Sequence, residues 1–515
     1  VPAWRPEPAP SSVEPPRRLL LMGDESDIAA VRRHWPSTPI ILVGQASEDE
    51  LVPVGESWRI SPRSAGDFDK LLAAQAGDVP IDVLNLWPLH AGSDTSVDPA
   101  IGASLHLVGA AGRTSARVRR VVCVTRRGSV PQPFDDAAAA VGHSAALVAP
   151  EMTFTLLRVD GAASVGECVD HAVSEWAASD PEVLRRDGAR FVPELAAPAA
   201  ADEPIVIRRG AVCLVTGGMG ALGRIMSRHL ASTLAAHLVL VGRSAPTLET
   251  SEHLESLKSS GAASAVYLQA DVSDVTAMRE VVRSVRQQRG GMHAVVHAAG
   301  VLDSRPLSAM DERALEGALK AKVEGVQVLD EVTRDEDLDA VILFSSASAV
   351  LGDFGLGGYG VANRFLDAFC EYRNHLRAQG ARRGATVSID WPLWEDGAMR
   401  AGGQRLHQQA SGVVPLGTAE GLAIFDTVLA RGISTAVVMP AVHDLHREPM
   451  PTTCPLSTRR VALLSRPARR LPGPSRYASR FSMRLLGRSG SRWSVLTSRR
   501  TSRTTALIPS RSRPM

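Results

Sequence analysis

The chain is short of the residues that would place it outside a reducing compartment. Its five cysteines (Cys123, Cys168, Cys213, Cys370 and Cys454) stand at no paired or metal-ligand spacing. That argues against a disulfide framework or a zinc module, so a cytoplasmic setting without a bound metal is expected. No uninterrupted apolar run reaches the ~20 residues needed to span a bilayer, so no membrane partner is expected. The start, Val1-Pro-Ala-Trp-Arg-Pro6, has neither the apolar segment of a signal peptide nor an initiator Met, which fits a fragment of something longer. Aromatic residues are scarce, and only four are Tyr, so a Tyr inside a motif is informative. Acids vanish after Met450: the last 65 residues hold fifteen Arg and no Lys, Asp or Glu. The net charge of +2 therefore conceals a body, residues 1–450, with 42 basic and 55 acidic side chains. An acidic body leaves no reason to expect a nucleic-acid partner.

What is present is an alternation of strands and helices. Residues 1–16 are Pro-rich and read as an extended linker. Strand-like runs follow at Leu19–Met22, Ile40–Val43, Ile81–Leu86, Val118–Val124 and Phe154–Val159, with helical patterns at Asp67–Ala76 and Ser164–Ala178 between some of them. None opens into a glycine-rich turn, so residues 17–198 read as a structural, Rossmann-like subdomain lacking a nucleotide site. Gly142-His-Ser-Ala-Ala146 resembles a nucleophile elbow but lacks its final Gly and a leading strand, and reads as helix. The Pro-containing stretch Ala196–Pro204 marks a boundary. Seven further strands are expected in residues 199–450: Val212–Val215, Leu238–Val241, Ala265–Gln269, Ala294–His297, Ala340–Phe344, Thr386–Asp390 and Ala436–Met439. Helices are expected at Val275–Gln288, Asp311–Glu331 and Val361–Ala378. The fold class is thus α/β, with two doubly wound parallel-sheet subdomains.

The first strand of the second half ends in Thr216-Gly217-Gly218-Met219-Gly220-Ala-Leu222-Gly223, followed by a helical pattern. Strand, glycine turn and helix in that order form a dinucleotide fingerprint. Gly218, Gly220 and Gly223 are expected to supply the tight turn, the approach to a pyrophosphate and the helix–sheet contact. The next strand ends in Arg243-Ser244 where an NAD-binding chain carries an acid. A guanidinium suits a 2′-phosphate, so NADPH is the expected cofactor. Asp271-Val272 are expected to flank its adenine, and His297-Ala298-Ala299-Gly300 its nicotinamide ribose. The fifth strand ends at Ser346, and thirteen residues on stands Tyr359, with Asn363 one helical turn later. A phenol with an ordinary pKa of ~10 becomes a useful acid beside a cation, which Lys322 on the preceding helix can provide.

In these residues, together with Lys322-Val-Glu-Gly325 and Tyr359-Gly-Val-Ala-Asn363, the chain resembles the ketoreductase domain of a modular type I polyketide synthase, within the short-chain dehydrogenase/reductase superfamily. The resemblance runs from about Arg17 to Pro440. Its most specific mark is an exchange: most short-chain reductases carry Lys four residues after the Tyr, whereas this chain has Asn363 there and Lys322 upstream. The resemblance implies NADPH-dependent reduction of a β-ketoacyl thioester carried on the phosphopantetheine arm of an acyl carrier protein, with other synthase domains as partners. Tyr359 would donate the proton, Ser346 orient the carbonyl oxygen, and Lys322 with Asn363 tune the Tyr. The family's markers of alcohol configuration correspond to Leu302-Asp303-Ser304 and Leu351, and the missing second Asp leans toward an L-alcohol. Two other readings are a free-standing short-chain alcohol dehydrogenase, which would not need residues 17–198, and an inactive reductase-like scaffold. Residues 451–515 read as a disordered basic tail. Back-translated and shifted in frame, Arg503–Ser510 is compatible with Asp-Tyr-Gly-Ile-Asp-Ser-Val, which resembles a carrier-protein phosphopantetheine motif, so a frameshifted carrier domain is an alternative origin for the tail.

Overall fold

A computed structural model of the chain describes residues 3–10, 14–46, 52–54, 57–90, 98–197, 203–301, 307–352, 357–397, 415–440 and 493–497. Two sheets carry the fold. The first contains β1 (Ala3–Pro6), β2 (Leu19–Met22), β3 (Ile40–Gln45), β4 (Val52–Val54), β5 (Ser57–Ile60), β6 (Ile81–Asn85), β7 (Val118–Arg127), β8 (Thr153–Asp160), β9 (Glu182–Arg186) and β10 (Ala189–Glu194). Its order is β1-β10-β9-β8-β7-β6-β2-β3-β5-β4, with the strands from β9 to β5 parallel. The linker expected at residues 1–16 is thus in part a strand: Ala3–Pro6 pairs antiparallel with β10 at the sheet edge. An edge strand tolerates Pro because one of its sides needs no donor. The β9–β10 hairpin turns on Asp187 and Gly188, both at positive φ (51° and 74°), as an Asp-Gly turn between twisted strands requires.

This first sheet has the winding of a nucleotide-binding fold, but its site is filled from within. The helix after β2, α1 (Glu25–His34), begins where a phosphate would bind. There the buried carboxylate of Asp27 accepts from the Asp24 amide at 2.7 Å and lies 2.8 Å from His90 Nε2. A side-chain carboxylate thus sits at the N-terminus of this helix. Two later helices, α2 (Pro133–Ala137) and α3 (Ala139–Val148), lie toward the second half. The Gly142-His-Ser-Ala-Ala146 motif falls on α3, with Ser144 fully buried, so it is no elbow.

The second sheet contains β11 (Val212–Thr216), β12 (His237–Gly242), β13 (Ser264–Gln269), β14 (Ala294–His297), β15 (Ala340–Ser346), β16 (Ala385–Trp391), β17 (Thr435–Pro440) and β18 (Trp493–Thr497). Its order, β13-β12-β11-β14-β15-β16-β17-β18, repeats the 3-2-1-4-5-6-7 winding of the first sheet's parallel strands. All seven expected strands are present. β18 corrects the expectation of a wholly disordered tail: it pairs antiparallel with β17, and its Trp-Ser-Val-Leu-Thr run is rich in strand formers. The helices that matter here are α4 (Ala221–Leu234), α5 (Glu312–Leu319), α6 (Gly325–Val332) and α7 (Gly357–Ala378). The single helix expected over Asp311–Glu331 is interrupted by a π-helical turn at Lys320–Glu324.

One apolar core runs through both halves. Val121, Leu156 and Phe134 of the first share it with Leu343, Val361, Phe365 and Phe369 of the second. The Phe134 and Phe365 rings pack at 4.8 Å between centroids. Below them lies a buried ionic group: Glu182 receives Arg158 at 2.6 Å from one side and Arg364 of α7 at 3.1 Å from the other. The first half is thereby a platform for the helix that bears Tyr359.

Candidate active site

The glycine turn lies at the carboxyl end of β11, between β12 and β14, where the winding reverses and open α/β sheets bind ligands. Gly217 takes the left-handed bend (φ 66°), and a Cβ there would lie 2.9 Å from Ala298 O and from the Ala299 backbone. A Cβ on Gly218 would meet Leu240 of β12 at 2.8 Å, and one on Gly223 would reach Gly217 O at 2.2 Å. The bend thus belongs to Gly217 rather than Gly218, while Gly218 and Gly223 permit close packing. Gly220 is exposed and caps the N-terminus of α4, where unpaired amides favour an anion. Met219 and Leu222 are half-buried beside it.

The Arg243 side chain is exposed at the end of β12, and its carbonyl accepts from Gln269 Nε2 at 2.9 Å. The Ser244 carbonyl accepts from the Tyr267 hydroxyl at 2.6 Å, so this corner is tied to β13. Asp271 accepts from the Ser273 amide and hydroxyl at 3.0 and 2.8 Å. Burial would raise its pKa, but those bonds, with Lys320 and Arg243 nearby, bring it below the usual value. Val272 is buried. His297 behaves differently from its expected place beside a ribose. Its ring is fully buried, with Nδ1 2.8 Å from Thr216 Oγ1, and burial together with Lys322 lowers its pKa to about 3. It is a neutral brace between β11 and β14, while Ala298, Ala299 and Gly300 continue toward the surface.

The π-helical turn places Lys322. One extra residue per turn rotates a side chain off the regular helical face, a device frequent at functional sites. Lys322 is buried, and its Nζ donates to Phe344 O at 2.6 Å. A Cβ on Gly300 would touch the lysine stem at 2.9 Å, so that glycine leaves the ammonium room beside β14. Burial lowers the Lys322 pKa to about 8, with Asp367 and Asp390 acting against the fall. The ammonium lies 5.9 Å from the centroid of the half-buried Tyr359 ring, in the first turn of α7. Ser346 is half-buried at the end of β15, and its Oγ accepts from the Ser348 amide at 3.3 Å. Asn363 is fully buried; its Nδ2 donates to Tyr359 O at 2.7 Å, which ties the tyrosine's turn to the helix. Leu351 is exposed, and Leu302, Asp303 and Ser304 lie outside the described residues.

Two acids escaped the sequence reading. Asp367, one turn beyond Asn363, and Asp390, next to the last residue of the fully buried part of β16, are both buried beneath Lys322. An acid inside a strand expected to be buried on both faces, with another on the buried side of a helix, was the available signal. Among the described residues there is no cluster of metal-binding side chains and no helix long and apolar enough to cross a membrane. The four described cysteines are buried and free.

Comparison with known proteins agrees with this fold. Residues 211–396 match the family model of the KR domain. Polyketide synthase PksM of Bacillus subtilis (strain 168) is 28% identical over 442 residues, 83% of this chain and 10% of that protein. Spectinabilin polyketide synthase system protein NorB of Streptomyces orinoci is 40% identical over 225 residues, 42% of this chain and 10% of that protein. The chain thus spans about a tenth of the length of these relatives. Among solved structures, a ketoreductase domain from the bacillaene assembly line is 25% identical, with a TM-score of 0.63 over 85% of this chain and 95% of that one. An N-terminal ketoreductase from the macrolactin assembly line shares the fold, with a TM-score of 0.72 at 21% identity over 84% of this chain and 89% of that one. By its motifs, its paired sheets and these relatives, the chain carries a KR domain at residues 211–396 and is similar, over most of its described length, to the ketoreductase domains of polyketide synthases.

Proposed function

We propose that this ketoreductase uses NADPH to reduce a β-ketoacyl thioester, presented by an acyl carrier protein, to the β-hydroxyacyl thioester. The observation that carries the reading is the placement of a buried ammonium (Lys322), a phenol (Tyr359) and a hydroxyl (Ser346) at the carboxyl ends of β14 and β15, one strand from the glycine turn. The residues fit the cofactor. Gly217, Gly218 and Gly223 leave no room for side chains in the cradle, Gly220 opens the N-terminus of α4, and Arg243 is free in solvent to meet a 2′-phosphate. When bound, NADPH supplies the hydride. Ser346 orients the carbonyl oxygen, and Tyr359 hydrogen-bonds it and gives up a proton as the alkoxide develops. Lys322 favours the phenolate that remains. Donors already aimed at the growing negative charge, and shielded from water, supply most of the stabilisation in such sites. Asn363 acts through the helix turn it ties rather than on the substrate. An acyl carrier protein and other synthase domains as partners fit the relatives' length, of which this chain spans about a tenth.

The test compares NADPH oxidation by the native protein and by Tyr359→Phe, with a diffusible β-keto thioester as substrate. Loss of the proton donor is expected to lower kcat by 10²-fold or more, with NADPH binding retained. Equal rates in the two proteins would remove Tyr359 from the mechanism, and an inactive native protein would favour the scaffold reading. Chiral analysis of the product tests the lean toward an L-alcohol.

A further inference from the structure

The polar layer under Lys322 holds more acid than one ammonium needs. Asp390 of β16 and Asp367 of α7 are 0% and 1% exposed, and they face each other across the helix–sheet contact. Ser388, two residues before Asp390 on the same face of the strand, donates to Asp367 Oδ1 at 2.7 Å. Ser345 stands opposite Asp390 in the register of β15 with β16, and its hydroxyl donates to Asn363 O at 3.1 Å. The hydroxyl of Ser345, engaged with Asn363 O, is the nearest donor to Asp390, and by hydrogen-bond geometry neither oxygen of Asp390 nor Oδ2 of Asp367 holds a donor of its own among the described residues. Buried carboxylates normally hold several donors, and two bare anions side by side in a dry layer are strongly disfavoured. One proton between them provides a donor, relieves the repulsion and leaves a single negative charge.

We propose that Asp367 and Asp390 share one proton and act together as the buried monoanion that keeps Lys322 charged beside Tyr359. They are positioning residues, since neither is placed in contact with the reacting atoms. Burial, with Asp367 as neighbour, pushes Asp390 well above the ordinary carboxylate range. Both carboxyls act against the fall that burial imposes on Lys322. The other ionisable groups around this layer leave the balance intact. His297 on β14 is neutral, Cys370 on α7 is a thiol whose pKa burial pushes up to about 12, and Arg364, although Asp367 is within its electrostatic reach, pairs directly with Glu182 at 3.1 Å. One ammonium then faces one net negative charge.

The proposal rests on the reading that charged Lys322 supports Tyr359, so its first test needs no turnover. Infrared difference spectra at neutral pH are recorded for native protein minus Asp367→Asn and native minus Asp390→Asn. Each is expected to show the carbonyl stretch of an un-ionised carboxylic acid in the native protein that the variant has lost, because the acid left alone no longer shares a proton. Other acids that burial raises, such as Asp135 and Glu371, cancel in the subtraction. A difference spectrum without that band for either variant overturns the proposal. The second test is the pH profile of kcat. Each single variant keeps one anion, so its alkaline limb should stay near that of the native protein. Asp367→Asn/Asp390→Asn keeps none, and its limb should move to lower pH by about one unit or more, because an uncompensated buried ammonium loses its proton sooner. A double variant with the native limb, or a single variant that shifts as far as the double, refutes the shared charge. Should the double variant fail to fold, the infrared result decides. A native protein without activity would fail the functional reading and leave the infrared result standing.

Discussion

Glu182→Gln tests whether the first half holds the helix that bears Tyr359 by charge. Glu182 is fully buried at the start of β9, with Arg158 Nη2 at 2.6 Å and Arg364 Nη2 at 3.1 and 3.3 Å from its two oxygens. Arg158 also lies 3.0 Å from Asp136, and its guanidinium is 5.6 Å from the centroid of the Trp4 ring in β1. Burial alone would raise the Glu182 pKa, but Arg158 and Arg364 outweigh it and hold the group below the usual carboxylate range. Glutamine keeps the shape and removes the charge, leaving two buried guanidinium groups without the carboxylate that bridges them, with Asp136 on Arg158 and the more distant Asp367 acting on Arg364. Removing one member of a buried ionic group costs roughly 3–5 kcal/mol, and an amide that still accepts a hydrogen bond places this change near the lower figure. Spread over a folded body of this size with one shared core, about 3 kcal/mol corresponds to a Tm lower by about 3–6 °C. The pH dependence has a definite sign. A depressed folded pKa contributes stability that is complete above the unfolded value of about 4.3 and is lost as pH falls through the folded value. Glutamine does not titrate, so the gap between the two proteins should be widest at neutral pH and narrow below about pH 4. Thermal melts by circular dichroism from pH 7 to pH 3 measure it. A variant melting within 1 °C of native at pH 7, or a gap that does not change with pH, would refute the reasoning.

Gly223→Ala should abolish the cofactor site rather than the fold, because the new methyl would stand 2.2 Å from Gly217 O and force the turn open. NADPH fluorescence titration should show affinity reduced at least tenfold, and an unchanged Kd would mean that the turn is not the cradle. Arg243→Ala removes an exposed guanidinium at the end of β12. A charge-assisted contact of about 1.5–3 kcal/mol predicts a KM for NADPH raised roughly 10- to 100-fold with that for NADH unchanged, and equal changes for both would exclude Arg243 from 2′-phosphate recognition.

The second half was legible because each of its strands is an apolar run closed by a glycine turn or a polar cluster, and because parallel strands buried on both faces are hydrophobic throughout. Spacing suggested a cofactor turn and a Ser346–Tyr359 pair, with Lys322 on the helix before them, and the fold brings the Lys322 ammonium to 5.9 Å from the Tyr359 ring centroid. Local irregularities were harder to read. The π-helical turn at Lys320–Glu324 leaves the composition of the helix unchanged, so Asp311–Glu331 looked continuous. The β9–β10 hairpin carried a readable signal, Asp187-Gly188 between strand formers, that went unused. Pairings between distant segments leave no periodic trace: Glu182 with Arg364, Asp367 with Asp390, and His297 with Thr216 each join residues that only the fold brings together. For His297 the adjacent motif pointed to a ribose, whereas the ring turns inward and braces the sheet.

The carboxylate of Asp27 gives the two sheets different dependences on the surrounding solution. A domain whose helix N-terminus waits for a solute gains stability in proportion to the logarithm of that solute's concentration. The first sheet carries its anion on its own chain, already seated against the Asp24 amide, so its stability at that point is independent of nucleotide supply. In the proposed function a cofactor binds at the second sheet alone, and the apolar core common to both halves passes the resulting stabilisation on to the first.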